Sequence, residues 1–230
     1  MPRALELFCG TKSVGKVLQE HGWEVTSVDI AAKFEPTFCA DVLDWDYTAA
    51  FSPGEYDYVH LSPPCQQYSS AMWKRPRRLD QADRLVQQGL RILDYARPRW
   101  WTIENPDCLL KTRPCMQPLA QFMRRVCYCK YSDGNPRWSY RKRTCIWTNL
   151  SAWTPRPMCC RACPCEWVQF PHGKHVTRVS KLHTSLTYAM PPALIEEWVA
   201  SMASGRGQGP LARQSNSAGA AVEDVSLESD

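Results

Sequence analysis

The stretch ALELFCGTKSVGKVLQEHG, residues 4–22, predicts a β-strand, a tight turn and an α-helix in succession. Residues 4–8 are apolar apart from one glutamate, and valine and leucine then recur at helical spacing until Gly22 ends the helix. The glycine in the turn, Gly10, allows backbone amides to approach a ligand, and the start of a helix favours an anion. Taken alone, the stretch is equally consistent with a strand–turn–helix unit that binds nothing.

Beyond this unit, the chain continues with short apolar runs, and a long amphipathic helix lies between two of them. Apolar residues recur at helical spacing over residues 79–96, and Arg97-Pro98 ends that helix. Alternating strands and helices predict an α/β fold, in which a mostly parallel sheet carries helices on both faces. Ligands of such sheets bind beyond the carboxyl ends of the strands. The predicted strands are residues 4–8, 24–29, 37–39, 57–61 and 100–103, followed by 127–131 and 144–148 in a hairpin-like section.

The composition is that of a globular protein able to build its own core. The chain has 230 residues, of which 44% are hydrophobic and 22% charged, and its formal net charge is +5. A basic chain favours a polyanionic partner such as nucleic acid. The chain has twelve cysteines, no signal-peptide pattern and no apolar run near the about 18 residues that span a bilayer. These features predict an intracellular protein, in cytoplasm or nucleus, with no membrane contact and mostly reduced thiols.

Two short motifs follow predicted strands and carry reactive groups. Cys65 comes directly after two prolines at the end of an apolar run, which places a thiol on a rigid loop. Glu104 begins a Glu-Asn-Pro element after the next predicted strand, and a carboxylate held there can act as an acid when burial raises its pKa. A structural cysteine and an ordinary turn are the alternatives. Together, the two groups predict covalent attack on a pyrimidine ring.

Basic residues are concentrated in two further segments. Arg141 and Arg143 alternate on a predicted strand edge and therefore share a face, where they can hold a base carbonyl, a phosphate or Glu104. Residues 74–78 include four basic side chains and can contact phosphates as a loop that closes over a substrate. A solvated charged surface is the alternative for both segments.

Four motifs, in this order and approximate spacing, resemble the cytosine-5 DNA methyltransferase family, above all its small phage- or virus-type members. They are Phe8-Cys9-Gly10, Pro64-Cys65-Gln66, Glu104-Asn105-Pro106 and Arg141-x-Arg143, and the resemblance covers about residues 3–149. It implies a Rossmann-like fold that binds S-adenosylmethionine. It also implies that Cys65 attacks carbon 6 of cytosine, that Glu104 contacts ring nitrogen 3, and that Arg141 or Arg143 binds the ring carbonyl.

The resemblance also implies a cofactor pocket and shows where this chain departs from the family. Lys12 stands where a second glycine is usual, and Ser139 where a glutamine commonly precedes the two arginines. A convincing late Gly-Asn-Ser element is not found. Residues 188–192 add a weaker echo of the family resemblance. The residues implied to contact S-adenosylmethionine are Phe8, Cys9, Gly10, Asp29, Ile30, Asp41 and Pro64.

Composition divides the chain into four parts. Residues 1–150 are the predicted catalytic domain, and 188–202 contain a helix, starting at a double proline, that we expect to pack on it. Residues 151–187 form a small Cys/His-rich appendage, and residues 203–230 are expected to be a disordered tail. Because the appendage is short for a target-recognition region, sequence selectivity is expected to be low or supplied by a partner.

Cysteine spacing in the appendage predicts a structural zinc site. Cys160 and Cys163 have the separation of a zinc-binding pair, and a short segment without a core of its own gains stability from a bound metal. Reduced cysteines in a loop are the alternative. The predicted ligands are Cys160, Cys163, Cys165 and His172.

The sequence leaves three functions in competition. Methylation of cytosine carbon 5 in DNA is favoured, and methylation of cytosine in RNA is an alternative that the Cys65 motif does not exclude. The third is a non-catalytic module that binds nucleic acid or cofactor. Lys12 and the missing late motif favour it, and the intact set of Cys65, Glu104 and Arg143 opposes it.

Overall fold

A computed structural model describes residues 1–69, 75–138, 140–159 and 188–205 of the chain. Within these ranges seven strands form one sheet, in the order β3-β2-β1-β4-β5-β7-β6. Strands β1 to β5 pair in parallel, whereas β7 is antiparallel to both β5 and β6. The predicted α/β class is therefore confirmed. The strands are β1 (Arg3–Leu7), β2 (Glu24–Asp29), β3 (Phe38–Cys39), β4 (Tyr58–Leu61), β5 (Trp100–Pro106), β6 (Met123–Cys127) and β7 (Arg143–Thr148).

Helices cover both faces of the sheet, as the alternation of elements predicts. On one face of the sheet, the first helix (α1) and the last (α4) pack together over the side chains of Ala4, Tyr58 and Trp100. On the other face, the long helix α3 packs over the next residue of each strand, Leu5, Val59 and Trp101. No helix in the described ranges is long and apolar enough to cross a bilayer. The α-helices are α1 (Ser13–Glu20), α2 (Tyr47–Ala50), α3 (Leu79–Ala96) and α4 (Pro192–Ala203), and 3-10 turns occupy Ala32–Phe34, Leu109–Thr112, Pro114–Phe122, Tyr128–Tyr131 and Pro136–Trp138.

Helix α3 carries a glycine, Gly89, where it packs against the last residue of β4. A Cβ atom on Gly89 would lie 2.8 Å from Leu61 Cδ2 and 3.4 Å from a ring carbon of Phe8. The missing side chain therefore lets the helix press on both residues, each of which precedes a loop at the carboxyl end of the sheet. In this way α3 helps to set the position of two loops that form the site described below.

One predicted element is wrong. Residues 127–131 were expected to be a strand, but the strand is Met123–Cys127 and a 3-10 turn, Tyr128–Tyr131, follows it. The strand lies at the edge of the sheet, where Arg124 and Arg125 are exposed and break the apolar pattern that predicts a strand. Both tyrosines at the ends of the turn are buried, and a three-residue spacing suits a 3-10 turn because its side chains at i and i+3 eclipse.

The predicted boundaries of the appendage and the tail stay predictions. Only residues 151–159 of the appendage and 203–205 of the tail are among those described. Helix α4 contacts α1.

Candidate active site

A cavity of about 380 Å³ opens at the carboxyl ends of the parallel strands. The loops after β1, β2, β3 and β4 and the last residues of β5 contribute to its walls. Cys65 and Glu104, the predicted nucleophile and acid, both line it. All seven residues predicted to contact the cofactor also line it, namely Phe8, Cys9, Gly10, Asp29, Ile30, Asp41 and Pro64.

The loop after β1 is built from residues in left-handed conformation. Phe8, Gly10 and Lys12 have φ angles of +56°, +46° and +55°. Glycine adopts this conformation without penalty, whereas a residue with a Cβ atom is strained by roughly 1–2 kcal/mol. Lys12 therefore occupies a backbone conformation that favours glycine. The Lys12 ammonium group donates to the backbone carbonyl of Glu35, which draws the loop toward the turn after β2.

A buried carboxylate, Glu6, lies beneath this loop, and sequence analysis did not assign it a function. Its two oxygens accept from the backbone N–H groups of Val14 and Gly15, at 3.3 and 3.0 Å, at the start of α1. Burial raises the pKa of Glu6 to about 8, against the opposing effect of these two donors. A Cβ atom on Gly15 would lie 2.5 Å from Glu6 Oε2, so the glycine makes room for the carboxyl group. A glutamate inside an apolar strand was the signal in the sequence.

The end of β2 supplies a fixed carboxylate and an apolar surface. Asp29 Oδ2 accepts from the N–H of Gly10 at 2.9 Å, and Oδ1 accepts from the N–H of Ala31 at 2.8 Å. These bonds orient the carboxylate and leave lone pairs on both oxygens for hydroxyl donors. Ile30, beside it in the cavity wall, is 68% exposed, which is high for a large apolar side chain. Such a surface suits a flat ring that packs against it.

The loop that carries Cys65 is tied to the Glu-Asn-Pro element. The buried Asn105 side chain donates to the carbonyl of Pro63 at 2.9 Å, so the two loops hold a fixed distance. The N–H groups of Tyr68 and Ser69 donate to the Cys65 carbonyl at 3.0 and 2.9 Å and shape the turn after the nucleophile. The sequence predicted both loops, but it did not predict the bond between them.

Burial and charge act together on the Cys65 thiol. Burial raises its pKa, the nearby negative charge of Glu104 raises it further, and the positive charge of Lys142 opposes both. Glu104 is thus close enough to Cys65 for its charge to affect the pKa of the thiol. In this resting arrangement the neutral thiol is favoured over the thiolate.

Two neighbouring side chains hold Glu104. The Tyr128 hydroxyl donates to Glu104 Oε1 at 3.0 Å, and the Lys142 Nζ atom lies 3.5 Å from the same oxygen. Lys142 also lies over the Tyr128 ring, 4.7 Å from its centroid, and its side chain is largely buried. Sequence analysis missed both partners, although Lys142 lies between the two arginines that it singled out.

The structure places Arg141 and Arg143 outside the cavity, whereas Lys142 lines it. Glu104 lies opposite Ile146 in the β5–β7 pairing, so even-numbered residues near the start of β7, such as Lys142, lie on the same side of the sheet as Glu104. Odd-numbered residues, which include both arginines, lie on the other side. Arg143 is exposed, and Arg141 donates to the Cys159 carbonyl at 3.3 Å. The neighbouring Cys129 thiol, and then the positive charge of Arg141, lower the pKa of the Cys127 thiol to about 7.

A chain of buried polar groups supports the floor of the cavity. His60 Nδ1 lies 2.6 Å from Thr102 Oγ1, and His60 Nε2 lies 2.8 Å from the hydroxyl of Ser62, which lines the cavity. Burial lowers the pKa of His60 to about 3, so the ring is neutral. One ring nitrogen therefore donates and the other accepts.

The remaining predicted site residues lie at the margins of the cavity or beyond the described ranges. Tyr188, the first residue of the segment 188–192, lines the cavity, and its hydroxyl accepts from the Gln66 side chain at 3.5 Å. Arg77 donates to the Gln67 carbonyl, which holds part of the basic segment against the Cys65 loop. Residues outside those described are Lys74 of that segment, Ser139, and the predicted zinc ligands Cys160, Cys163, Cys165 and His172.

Comparisons with known proteins identify relatives of both the sequence and the fold. A protein of Frog virus 3 (isolate Goorha), named "Probable DNA (cytosine-5)-methyltransferase", is 34% identical over 168 residues, which are 67% of this chain and 73% of the relative. The structure of Entamoeba histolytica methyltransferase EhMeth is similar with a TM-score of 0.50 at 17% identity, over 69% of this chain and 56% of that one. The S. pombe Dnmt2 methyltransferase has a TM-score of 0.44 at 12% identity, over 64% and 49% of the two chains.

The chain spans about half the length of these two solved structures, and no protein-family model matches it. The E. histolytica structure supports the methyltransferase fold. The viral relative is close enough, and matched over enough of its length, to show the family. On this evidence the chain belongs to the DNA (cytosine-5)-methyltransferase family.

Proposed function

We propose that this chain transfers a methyl group from S-adenosylmethionine to carbon 5 of cytosine in DNA, through a transient covalent bond between Cys65 and the base. One observation carries the proposal: Cys65 and Glu104 line the same cavity as all seven residues predicted to contact the cofactor. Membership of the family, which implies use of S-adenosylmethionine, agrees with it.

The cavity suits the cofactor in size and in chemistry. Its volume of about 380 Å³ falls within the range of small-molecule sites, roughly 300–1,000 Å³. The Asp29 carboxylate would accept from ribose hydroxyls, the exposed face of Ile30 would cover one side of the adenine, and Gly10 would let the backbone approach the amino-acid end. When bound, S-adenosylmethionine supplies an electrophilic methyl group.

The protein's part in the reaction begins at Cys65. Carbon 5 of cytosine is a weak nucleophile, and bond formation between the Cys65 sulfur and carbon 6 moves electron density onto carbon 5. The thiol must first lose its proton, and Lys142 favours the thiolate by opposing the effects of burial and of Glu104. Once carbon 5 carries the methyl group, a base removes the proton from that carbon, the sulfur–carbon bond breaks and Cys65 leaves as thiolate.

Glu104 stabilises the base while it is bonded to Cys65. It would take up, through solvent, the proton that the Cys65 thiol releases, and as a carboxylic acid it would then donate a hydrogen bond to ring nitrogen 3, which takes up electron density as sulfur adds. Tyr128 and Lys142 both donate to the Oε1 atom of Glu104. We therefore assign the contact with the ring to its other oxygen, Oε2. We assign to Lys142 the contact with the ring carbonyl that sequence analysis gave to Arg141 or Arg143, because Lys142 lines the cavity and neither arginine does.

DNA is proposed as the substrate because the viral relative is named for DNA and because the chain is basic. In a duplex the target base must leave the stack to reach a cavity of this kind, at a cost of a few kcal/mol. Action on DNA agrees with an intracellular location. The zinc site predicted at Cys160, Cys163, Cys165 and His172 stays a prediction.

The proposal is tested by trapping the covalent intermediate. The full chain is incubated with S-adenosylmethionine and an oligonucleotide that carries 5-fluorocytosine, as DNA in one arm and as RNA in the other. Fluorine on carbon 5 cannot leave as a proton, so the sulfur–carbon bond persists and the complex survives denaturing electrophoresis. We expect a DNA adduct with wild-type protein and with the control Cys115→Ser, and none with Cys65→Ser.

The alternative functions predict different outcomes. An adduct with RNA but not with DNA would replace the proposed substrate while keeping the chemistry. If neither polymer gives an adduct although the protein binds S-adenosylmethionine, the protein is a binding module and the proposal fails. An adduct that persists in Cys65→Ser would show that another residue is the nucleophile.

A further inference from the structure

Three cysteines that sequence analysis did not group lie together at the edge of the sheet. Cys127 is the last residue of β6, Cys129 lies in the 3-10 turn that follows, and Cys159 comes from the start of the appendage. All three are buried, and their sulfur atoms lie within 4.8 Å of one another. This thiol cluster packs apart from the two large cores and does not line the cavity.

The separations within the thiol cluster fit a bound metal ion. The sulfur atoms of Cys127 and Cys129 are 3.5 Å apart, well beyond the about 2.05 Å of a disulfide bond. Tetrahedral zinc with zinc–sulfur bonds of about 2.3 Å holds its sulfur ligands roughly 3.8 Å apart. The Cys127–Cys129 separation is slightly shorter than this distance and no pair of the three sulfur atoms is more than 4.8 Å apart, so small side-chain adjustments would complete a site.

Charge at the thiol cluster also suits a metal. A zinc ion with three thiolates carries a net charge of −1, and a buried charge requires a partner. Arg141 supplies one, because its guanidinium donates to the Cys159 carbonyl at 3.3 Å and interacts with the Cys127 sulfur. An arginine that does not reach the cavity thereby gains a function.

Contacts that do not involve sulfur hold Cys159 near the other two. The backbone N–H of Arg156 donates to the Tyr131 hydroxyl at 2.9 Å, and its guanidinium donates to the Lys130 carbonyl at 2.7 Å and to Glu197 at 2.6 Å. The first two partners belong to the same turn as Cys129. The thiols are therefore brought together by the fold itself, which is the arrangement expected of a preorganised metal site.

We propose that Cys127, Cys129 and Cys159 bind one zinc ion as thiolates, and that the ion clamps the start of the appendage to the edge strand β6. Soft thiolate ligands in tetrahedral geometry favour zinc among the common metals. The set differs from the ligands predicted from sequence, Cys160, Cys163, Cys165 and His172, and the proposal does not depend on methyl transfer. Tetrahedral zinc takes a fourth ligand, which the experiment below identifies.

The first test uses the unaltered full chain, purified under reducing conditions with zinc supplied. We expect one zinc per chain by elemental analysis. Replacement by cobalt should give the visible absorption of tetrahedral cobalt and a near-ultraviolet band from thiolate-to-cobalt charge transfer. Alkylation mapped by mass spectrometry should show Cys127, Cys129 and Cys159 protected until a chelator removes the metal, with Cys115 unaffected, and any further cysteine that follows the same pattern is the fourth ligand.

The second test uses single substitutions. Cys127→Ser, Cys129→Ser and Cys159→Ser should each weaken zinc binding by at least about 100-fold, whereas the control Cys115→Ser should bind as the wild type does. Wild-type protein without zinc and without the cobalt bands would overturn the proposal. Zinc that is retained in all three variants would also overturn the proposal, because the metal would then be bound elsewhere. Alkylation of the three cysteines that does not depend on the chelator would overturn it as well.

Discussion

Replacement of Glu6 by glutamine should remove a pH dependence from the stability of this protein. The carboxyl group is buried under the loop after β1, and its pKa is raised to about 8 in the folded chain against 4.5 for an ordinary glutamate. Between these two values the folded protein holds a proton that the unfolded chain releases. The contribution of this group to the free energy of unfolding is therefore fully present below about pH 4.5 and is lost as the pH rises to about 8.

The size of the effect follows from the same two values. Each pH unit between them corresponds to about 1.4 kcal/mol, so the whole interval corresponds to about 5 kcal/mol, as an upper bound for a group with two backbone donors. Glutamine has only one oxygen to accept from Val14 and Gly15. The substitution therefore adds a cost of about 1–3 kcal/mol that does not vary with pH.

The assay is chemical unfolding of the wild type and of Glu6→Gln at several values between pH 5 and pH 9. Other titrating groups affect both proteins alike, so the quantity to compare is the difference between their unfolding free energies. We expect the wild type to lose its advantage steadily across this range and the two curves to become parallel above about pH 8. A difference that stays constant from pH 5 to pH 9 would refute the argument that burial keeps this carboxyl group protonated.

Three further substitutions test the site. Asn105→Ala removes the hydrogen bond to the Pro63 carbonyl, which should lower the free energy of unfolding by about 1–3 kcal/mol. It should also lower kcat at least about tenfold, with little change in KM for S-adenosylmethionine, and an unchanged kcat in folded protein would contradict the role of this bond. Lys142→Met removes the charge that lowers the pKa of Cys65, so the rise of kcat/KM with pH should move to higher pH, and an unmoved profile would count against it. Lys12→Gly relieves a left-handed residue but also removes the bond to the Glu35 carbonyl, so it is compared with Lys12→Ala, which loses the same bond and keeps the strain. The glycine variant should melt about 2–4 °C higher than the alanine variant, and an equal or lower Tm would show that no strain is released.

The sheet and its loops could be predicted because their signals are local. Apolar runs, the amphipathic segment of α3 and the turn at Gly10 each depend on neighbouring residues. The residues predicted to contact the cofactor followed from the family resemblance, and the fold brings them to one cavity because parallel strands end at the same edge. Edge strand β6 was misplaced because two exposed arginines interrupt its pattern.

What the sequence could not show depends on contacts between distant segments. The bond from Asn105 to Pro63 joins residues 42 positions apart, and no periodicity marks it. The choice of Lys142 over its two arginine neighbours depends on which side of β7 faces Glu104, and that follows only from the antiparallel pairing with β5. The thiol cluster likewise joins the end of one strand to a segment beyond the next, so cysteine spacing along the chain did not reveal it.

The neutral His60 beneath the cavity has a practical consequence for kinetics. Because its ring takes up a proton only near pH 3, it stays in a single ionisation state across the whole interval in which an enzyme assay is normally run. An imidazole is usually the first suspect when a rate bends near neutrality. Here this imidazole can be set aside, and such a bend would have to come from another group.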